Sequence, residues 1–269
     1  MTGPGLARVA GEAAPVLERL TRLGFLAKGV VTVLVGALAL QYALGRGGDL
    51  TGPGGAIRAI RDQPFGRVSM LMLIAGLAGY ALWMFVAAFV DPERKGTGLA
   101  GIAERVGFFF TGIGYALLAY GALALLLGGG GGGASLDDLA AALLTPRVGR
   151  WLVGLVGAIV MTAGLLQIRL GLTAGFRDSF RSELPRLERG AAVVAGVLGY
   201  MALGVLSLLV GYSLVRVAVE YDPSAARGWD EALGLLSRLG EGRWALGAAA
   251  AGLVLYGLYF VLLVRIRRL

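Results

Sequence analysis

Val68 to Val90 reads VSMLMLIAGLAGYALWMFVAAFV, 23 residues without a charge. A helix rises 1.5 Å per residue, so about 20 apolar residues cross the roughly 30 Å hydrocarbon core of a bilayer. This stretch is long enough to span. Working outward from it, uncharged runs recur: 31 residues from Val106 to Leu136, 18 from Trp151 to Ile168, 26 from Gly190 to Val215 and 21 from Trp244 to Val264. The shortest, Gly29 to Gly45, has 17, and Lys28 alone parts it from the apolar Leu23 to Ala27. Six such runs read as six transmembrane helices. Of the 269 residues, 57% are hydrophobic and 16% charged, where a soluble domain carries about a quarter charged residues.

Cysteine and histidine are both absent. Thiol nucleophiles, disulfides, Cys or His metal sites, imidazole acid–base chemistry and axial His haem ligation are thereby excluded. No acidic residue falls in the middle of a run. That weighs against proton- or sodium-coupled transport and removes an aspartyl intramembrane protease. The expectation is therefore no enzyme and no cofactor. A net charge of +8 and a pI near 10.2 fit arginines at helix ends meeting anionic headgroups, with no nucleic-acid partner. The first twenty residues carry Arg8, Glu12, Glu18 and Arg19 without an apolar core or small-residue cleavage site, unlike a cleavable signal peptide. Residues 1–19 read as a cytosolic lead-in, with a surface amphipathic helix as one reading.

The chain repeats itself. Leu20-Thr21-Arg22-Leu23-Gly24-Phe25, Ala103-Glu104-Arg105-Val106-Gly107-Phe108 and Leu187-Glu188-Arg189-Gly190-Ala191 each open an apolar run, with their arginines 83 and 84 residues apart. A second landmark starts the second helix of each pair at Arg67, Arg150 and Arg243, 83 and 93 residues apart. Ala75-Gly76-Leu77 and Tyr80 are matched by Ala251-Gly252-Leu253 and Tyr256. This gives three tandem two-helix repeats: 20–95 (helices about 22–45 and 67–90), 100–180 (about 105–128 and 150–170) and 185–269 (about 189–213 and 243–265). On this alignment the third connecting loop is the longest. Units with an even number of helices all enter from one side, so the repeats are parallel and pseudo-three-fold symmetry about the membrane normal is expected.

Lysine and arginine set orientation. Fifteen fall on the face of the termini and ten on the other, which favours cytoplasmic N- and C-termini. The three outer loops each hold a short apolar pattern: GAIRAIRDQ at 55–63, SLDDLAAALL at 135–144 and WDEALGLLSRL at 229–239. They read as interfacial helices on the outer surface, as segments dipping into the pore side, or as mere caps over the bundle. Gly128 to Gly133 is a run of six glycines; with no strand before it and no Lys-Ser/Thr after it, it reads as a hinge rather than a phosphate loop. Small-xxx-small pairs such as Thr32 with Gly36, Gly154 with Ala158 and Ala248 with Gly252 suit close helix packing in lipid.

The candidate polar or cavity-lining residues are Lys28, Gln41, Tyr80, Trp83, Tyr115, Gln167, Tyr200 and Tyr256. Lys28 stands about a turn and a half into the first helix, near enough the interface to snorkel, and that is the favoured reading. Gln41 and Gln167 suit interfacial or interhelical roles. The aromatic residues suit a cavity wall, an aromatic belt or core packing. Thr32, Ser69, Thr111, Thr162 and Ser207 can bond back to their own helix.

Arg22-Leu23-Gly24-Phe25 with Lys28-Gly29, Gln63-Pro64-Phe65-Gly66-Arg67 and Gly79-Tyr80-Ala81-Leu82-Trp83 together resemble a bacterial family, domain of unknown function 1206, whose members typically carry three copies. The second and third units lose the Gln-Pro-Phe-Gly element. The resemblance implies a multi-pass bacterial inner-membrane protein and brings no activity with it. Two readings of function stand. One is a channel- or transporter-like bundle with a path or cavity on the pseudo-three-fold axis, handling a small solute or ion. The other is a non-transporting protein that binds membrane lipids or a protein partner.

Overall fold

A computed structural model describes residues 4–90, 96, 98–128, 149–180, 185–220, 228–238 and 242–266. Among these residues the helices are α1 (Pro4–Ala43), α2 (Pro53–Arg61), α3 (Gly66–Val90), α4 (Leu99–Leu126), α5 (Gly149–Thr173), α6 (Arg186–Glu220), α7 (Trp229–Ser237) and α8 (Gly242–Ile266), with a 3-10 turn at Gly175–Ser179. The outer-loop helices expected at 55–63 and 229–239 correspond to α2 and α7. The pattern at 135–144 and most of the glycine run lie outside the described residues. The lead-in is continuous with the first spanning helix: α1 runs from Pro4 to Ala43 as one helix, with Pro15 inside it.

The six long helices α1, α3, α4, α5, α6 and α8 are each apolar and long enough to cross a membrane. Their outward faces expose large apolar side chains such as Leu71, Met72, Phe89, Tyr120 and Leu155. Contiguous apolar surface on this scale is unfavourable in water and is the natural boundary with lipid.

The spanning helices form a chain of neighbours, α5–α6–α8–α1–α3–α4. Two of these interfaces are made by backbones in near contact. Gly157 and Gly164 on α5 meet Gly204 and Gly211 on α6, and a Cβ added at Gly164 would stand 2.8 Å from the Gly204 carbonyl oxygen. On α1 and α8, a Cβ at Gly29 would stand 2.8 Å from the Gly257 carbonyl oxygen. Glycines seven residues apart return to one helix face after two turns, so the stripe lets two helices lie together along their length. The α3–α4 interface uses rings instead: Phe85 covers Gly112, and Phe109 meets Phe85 and Phe89 at 5.8 and 5.7 Å between centroids.

Packing within the repeats corrects the register of the third. In the first repeat a Cβ at Gly24 would stand 2.7 Å from Tyr80 Cβ; in the third, a Cβ at Gly199 would stand 2.7 Å from Tyr256 Cβ. Gly76 closes on Ala27 in the same way that Gly252 closes on Ala202. Position 24 therefore corresponds to 199, and Arg189 is not the counterpart of Arg22. It lies on an N-terminal extension of α6, which begins at Arg186 and runs to Glu220, well beyond the expected 189–213. The third connecting loop is accordingly close to the first in length. The second repeat has Gly107 where the first has Gly24, but it faces open space. Ile159 and Ala163 stand there in place of Gly76 and Tyr80. Without the small residue and the ring, α4 and α5 make no interface comparable to that of α1 with α3 or α6 with α8.

The landmark arginines have a structural task. Arg105 donates through Nε to the Ala88 carbonyl at 2.7 Å and through Nη2 to the Phe89 carbonyl at 3.1 Å, at the end of α3. Arg243 donates to the Ala43 carbonyl that ends α1 at 3.1 Å. The last carbonyls of a helix lack intrahelical donors, and a cation there also opposes the negative end of the helix dipole. Replacing Arg105 with alanine is expected to lower unfolding stability by about 1–2 kcal/mol, read as a lower midpoint in thermal denaturation of the detergent-solubilised protein.

The short helices sit over one end of the bundle. Ala56 and Ile57 of α2, and Ala232, Leu233 and Leu236 of α7, are buried against it. The next spanning helix opens close by in each case, at Gly66 or Gly242, where a side chain would collide with the carbonyl oxygen of Arg61 or Ser237.

Candidate functional site

The three first helices of the repeats face one another across a cavity of about 450 Å³. Lys28, Val31, Thr32 and Val35 line it from α1, Thr111, Gly114, Tyr115 and Leu118 from α4, and Leu203 and Ser207 from α6. These positions correspond: 28 with 111 and 203, and 32 with 115 and 207, at separations of 83 and 175. Gln167 of α5 and Tyr256 of α8 complete the wall, and the loop and first turns of α2 and α7 border the other end. There the Gly52 amide donates to Asp230 Oδ1, joining the two short helices, and Arg58 stands beside them.

Lys28 closes the end nearer the chain termini. The structure differs here from the snorkelling reading: the residue is 8% exposed and its ammonium turns into the bundle. Nζ donates to Tyr80 Oη at 3.2 Å. It stands 4.0 Å from the Phe260 ring centroid, 5.0 Å from Tyr80, and 5.4 Å from both Tyr115 and Tyr256. Ring faces carry the negative part of the aromatic quadrupole, so four of them partly replace the water lost on burial. The rings hold one another as well. Tyr80 packs on Tyr115 at 4.6 Å, Tyr256 on Phe260 at 4.9 Å and Phe25 on Phe260 at 5.8 Å. Tyr200 joins Tyr256 to Phe176 beyond α5 at 5.1 and 5.4 Å. The result is a continuous aromatic floor with one cation in it.

Of the eight candidate residues, Lys28, Tyr115, Gln167 and Tyr256 line the cavity, while Tyr80 and Tyr200 pack behind them. Gln41 is exposed at the far end of α1. Trp83 is half-buried away from the cavity, its indole N–H without a hydrogen-bond partner among the described residues. Thr32, Thr111 and Thr162 donate to the carbonyls four residues earlier, each at 2.8 Å. Ser207 instead crosses to α5 and donates to Gln167 Oε1 at 3.1 Å, a link that spacing alone did not single out. Nor did spacing reveal Asp230 as a tie between α2 and α7. The signal that could have found Ser207 is its place in the corrected register, opposite Thr32 and Tyr115.

Six apolar spans in tandem pairs around an internal cavity define a multi-pass helical membrane protein. Three stretches, 23–91, 106–174 and 198–267, each match the family described as Domain of Unknown Function (DUF1206), and the chain belongs to that family. The third match starts 175 residues after the first, the separation that the glycine–tyrosine packing requires. The chain is also 32% identical over 258 residues to "Uncharacterized protein YxxB" of Bacillus subtilis (strain 168), covering 96% of this chain and 94% of that protein. No solved structure matches it.

Proposed function

We propose that the protein is a non-catalytic, ligand-binding membrane protein whose three repeats surround one axial cavity with pseudo-three-fold symmetry. The observation that carries this reading is that matching positions of all three repeats line the same space. The neighbour pattern supports it. α3 with α4, α5 with α6 and α8 with α1 each join the second helix of one repeat to the first helix of the next. Parallel repeats that meet second helix to first in this way support an axis along the membrane normal.

The aromatic floor favours binding over an open channel. A cation leaving the cavity on that side would meet the charge of Lys28 in a low-dielectric layer of rings. The distribution of lysine and arginine supports a bacterial inner-membrane location with both termini in the cytoplasm. In this orientation α2 and α7 lie at the outer interface, and the cavity faces outward. The absence of cysteine and histidine supports a non-catalytic role. A carrier that alternates its closed side is the second reading, favoured by the cavity's place among the three first helices.

The purified protein in planar bilayers is expected to pass no steady ion current, while native mass spectrometry finds one small molecule retained per chain. Sustained single-channel currents would contradict the binding reading.

A further inference from the structure

We infer that the cavity takes a single-chain carboxylate, with its charged end at Lys28 and its hydrocarbon chain along α4; this deepens, and rests on, the binding reading above. The closed end is a cluster of hydrogen-bond donors. Beside the Lys28 ammonium, the hydroxyls of Tyr115 and Tyr256 have no hydrogen-bond partner among the described residues, although Tyr256 is only 3% exposed. Neither is an enclosed orphan like the Trp83 indole N–H, so both stay accessible to a molecule in the cavity they line. Two such groups, each on a ring 5.4 Å from one ammonium, leave room for an acceptor carrying negative charge. The Gln167 amide, whose oxygen is occupied by Ser207, adds donor capacity on the wall above.

The rest of the cavity sets the shape of the ligand. From Thr111 to Leu125, α4 lines it with Gly114, Leu118, Gly121 and Ala122 on one face. The fourteen steps from Thr111 to Leu125 rise roughly 20 Å. With a volume of about 450 Å³, a cavity of that length is long and narrow, the shape of a single hydrocarbon chain. Of the charged side chains that line it among the described residues, two are cationic, Lys28 and Arg58, and the one carboxylate, Asp230, already accepts from the Gly52 amide. The balance suits an anion. A carboxylate presents two acceptor oxygens to the three donors, and charge-assisted bonds of this kind are about twice as strong as neutral ones.

The test uses the full chain with Thr32→Cys as a reporter inside the cavity, reconstituted in neutral phospholipid nanodiscs. Laurate and 1-dodecanol share a chain length and differ in the head. Laurate is expected to protect the thiol from alkylation at concentrations about tenfold lower than the alcohol. Adding Lys28→Met should erase that difference. So should the pair Tyr115→Phe and Tyr256→Phe, which keeps every ring and covers the case in which loss of Lys28 prevents folding. Equal protection by the two compounds in the reporter chain would overturn the carboxylate inference and leave the binding reading standing. A reactive thiol that neither compound protects would overturn both.

Discussion

Gly204→Leu is expected to prevent assembly of a stable bundle, with most of the protein recovered as aggregate in size-exclusion chromatography. Lipid offers helices little hydrophobic reason to associate, so the interface depends on how closely two backbones approach. At Gly204 an added Cβ would stand 2.6 Å from Ile168 Cγ1, 2.8 Å from the Gly164 carbonyl oxygen and 3.0 Å from the Ile168 amide nitrogen. Two of those three atoms are backbone, so no side-chain rotation relieves the clash. Overpacking a well-fitted core costs about 1–3 kcal/mol when side chains can move; here α5 must shift as a body, and a loss above about 4 kcal/mol is expected. Gly114→Leu is the control, because nothing lies within 4 Å of its missing side chain. A Gly204→Leu protein as stable as that control would show that the α5–α6 contact is not what holds these helices.

Lys28→Glu is expected to be the most damaging change at the cavity floor. Ring faces stabilise a cation and repel an anion, and a carboxylate fixed among four of them, with no cation beside it, loses hydration that the tyrosine hydroxyls only partly replace. Leaving a charge buried without a partner costs about 3–5 kcal/mol, so the variant should unfold at a much lower temperature or insert its carboxyl protonated. Lys28→Met should cost far less, about 1–2 kcal/mol, because losing the cation–ring attraction is offset by no longer burying a charge. Thermal denaturation of the two variants side by side separates the charge from the packing. Equal destabilisation would mean that the rings are indifferent to the sign of the group they enclose.

The spans were legible because bilayer thickness sets their length, and an uncharged run long enough to cross has few alternative uses. The start of the second helices was legible too, since Arg67 and Arg243 keep the spacing of Tyr80 and Tyr256. The register of the third repeat was not. An arginine stands wherever a helix leaves the membrane, so Arg189 marks an end of α6 without marking a depth. Glycine contacts are register-specific, and Gly24 with Tyr80 against Gly199 with Tyr256 fixes what the arginines left ambiguous.

The site was half-legible for a related reason. Sequence placed Lys28, Tyr115, Gln167 and Tyr256 on spanning helices, but which face of each helix meets the interior depends on partners far away in the chain. Lys28 can reach the interface or the core with the same four-carbon stem. It turns inward because Tyr80, Tyr115 and Phe260, from three other helices, converge on it. Gln41 and Trp83 had the same local credentials and face elsewhere. The gap between α4 and α5 was written in Ile159 and Ala163, readable only after the repeats are aligned in the corrected register.

The absence of cysteine permits a direct measurement of the central claim, that the cavity is closed beside the termini and open beneath α2 and α7. Leu118→Cys places a single thiol on the cavity wall, in sealed vesicles of known orientation treated with a membrane-impermeant maleimide from one side at a time. Modification from the face of α2 and α7, with protection from the face of the termini, is the predicted result. Modification from the face of the termini, or at equal rates from both, would contradict it.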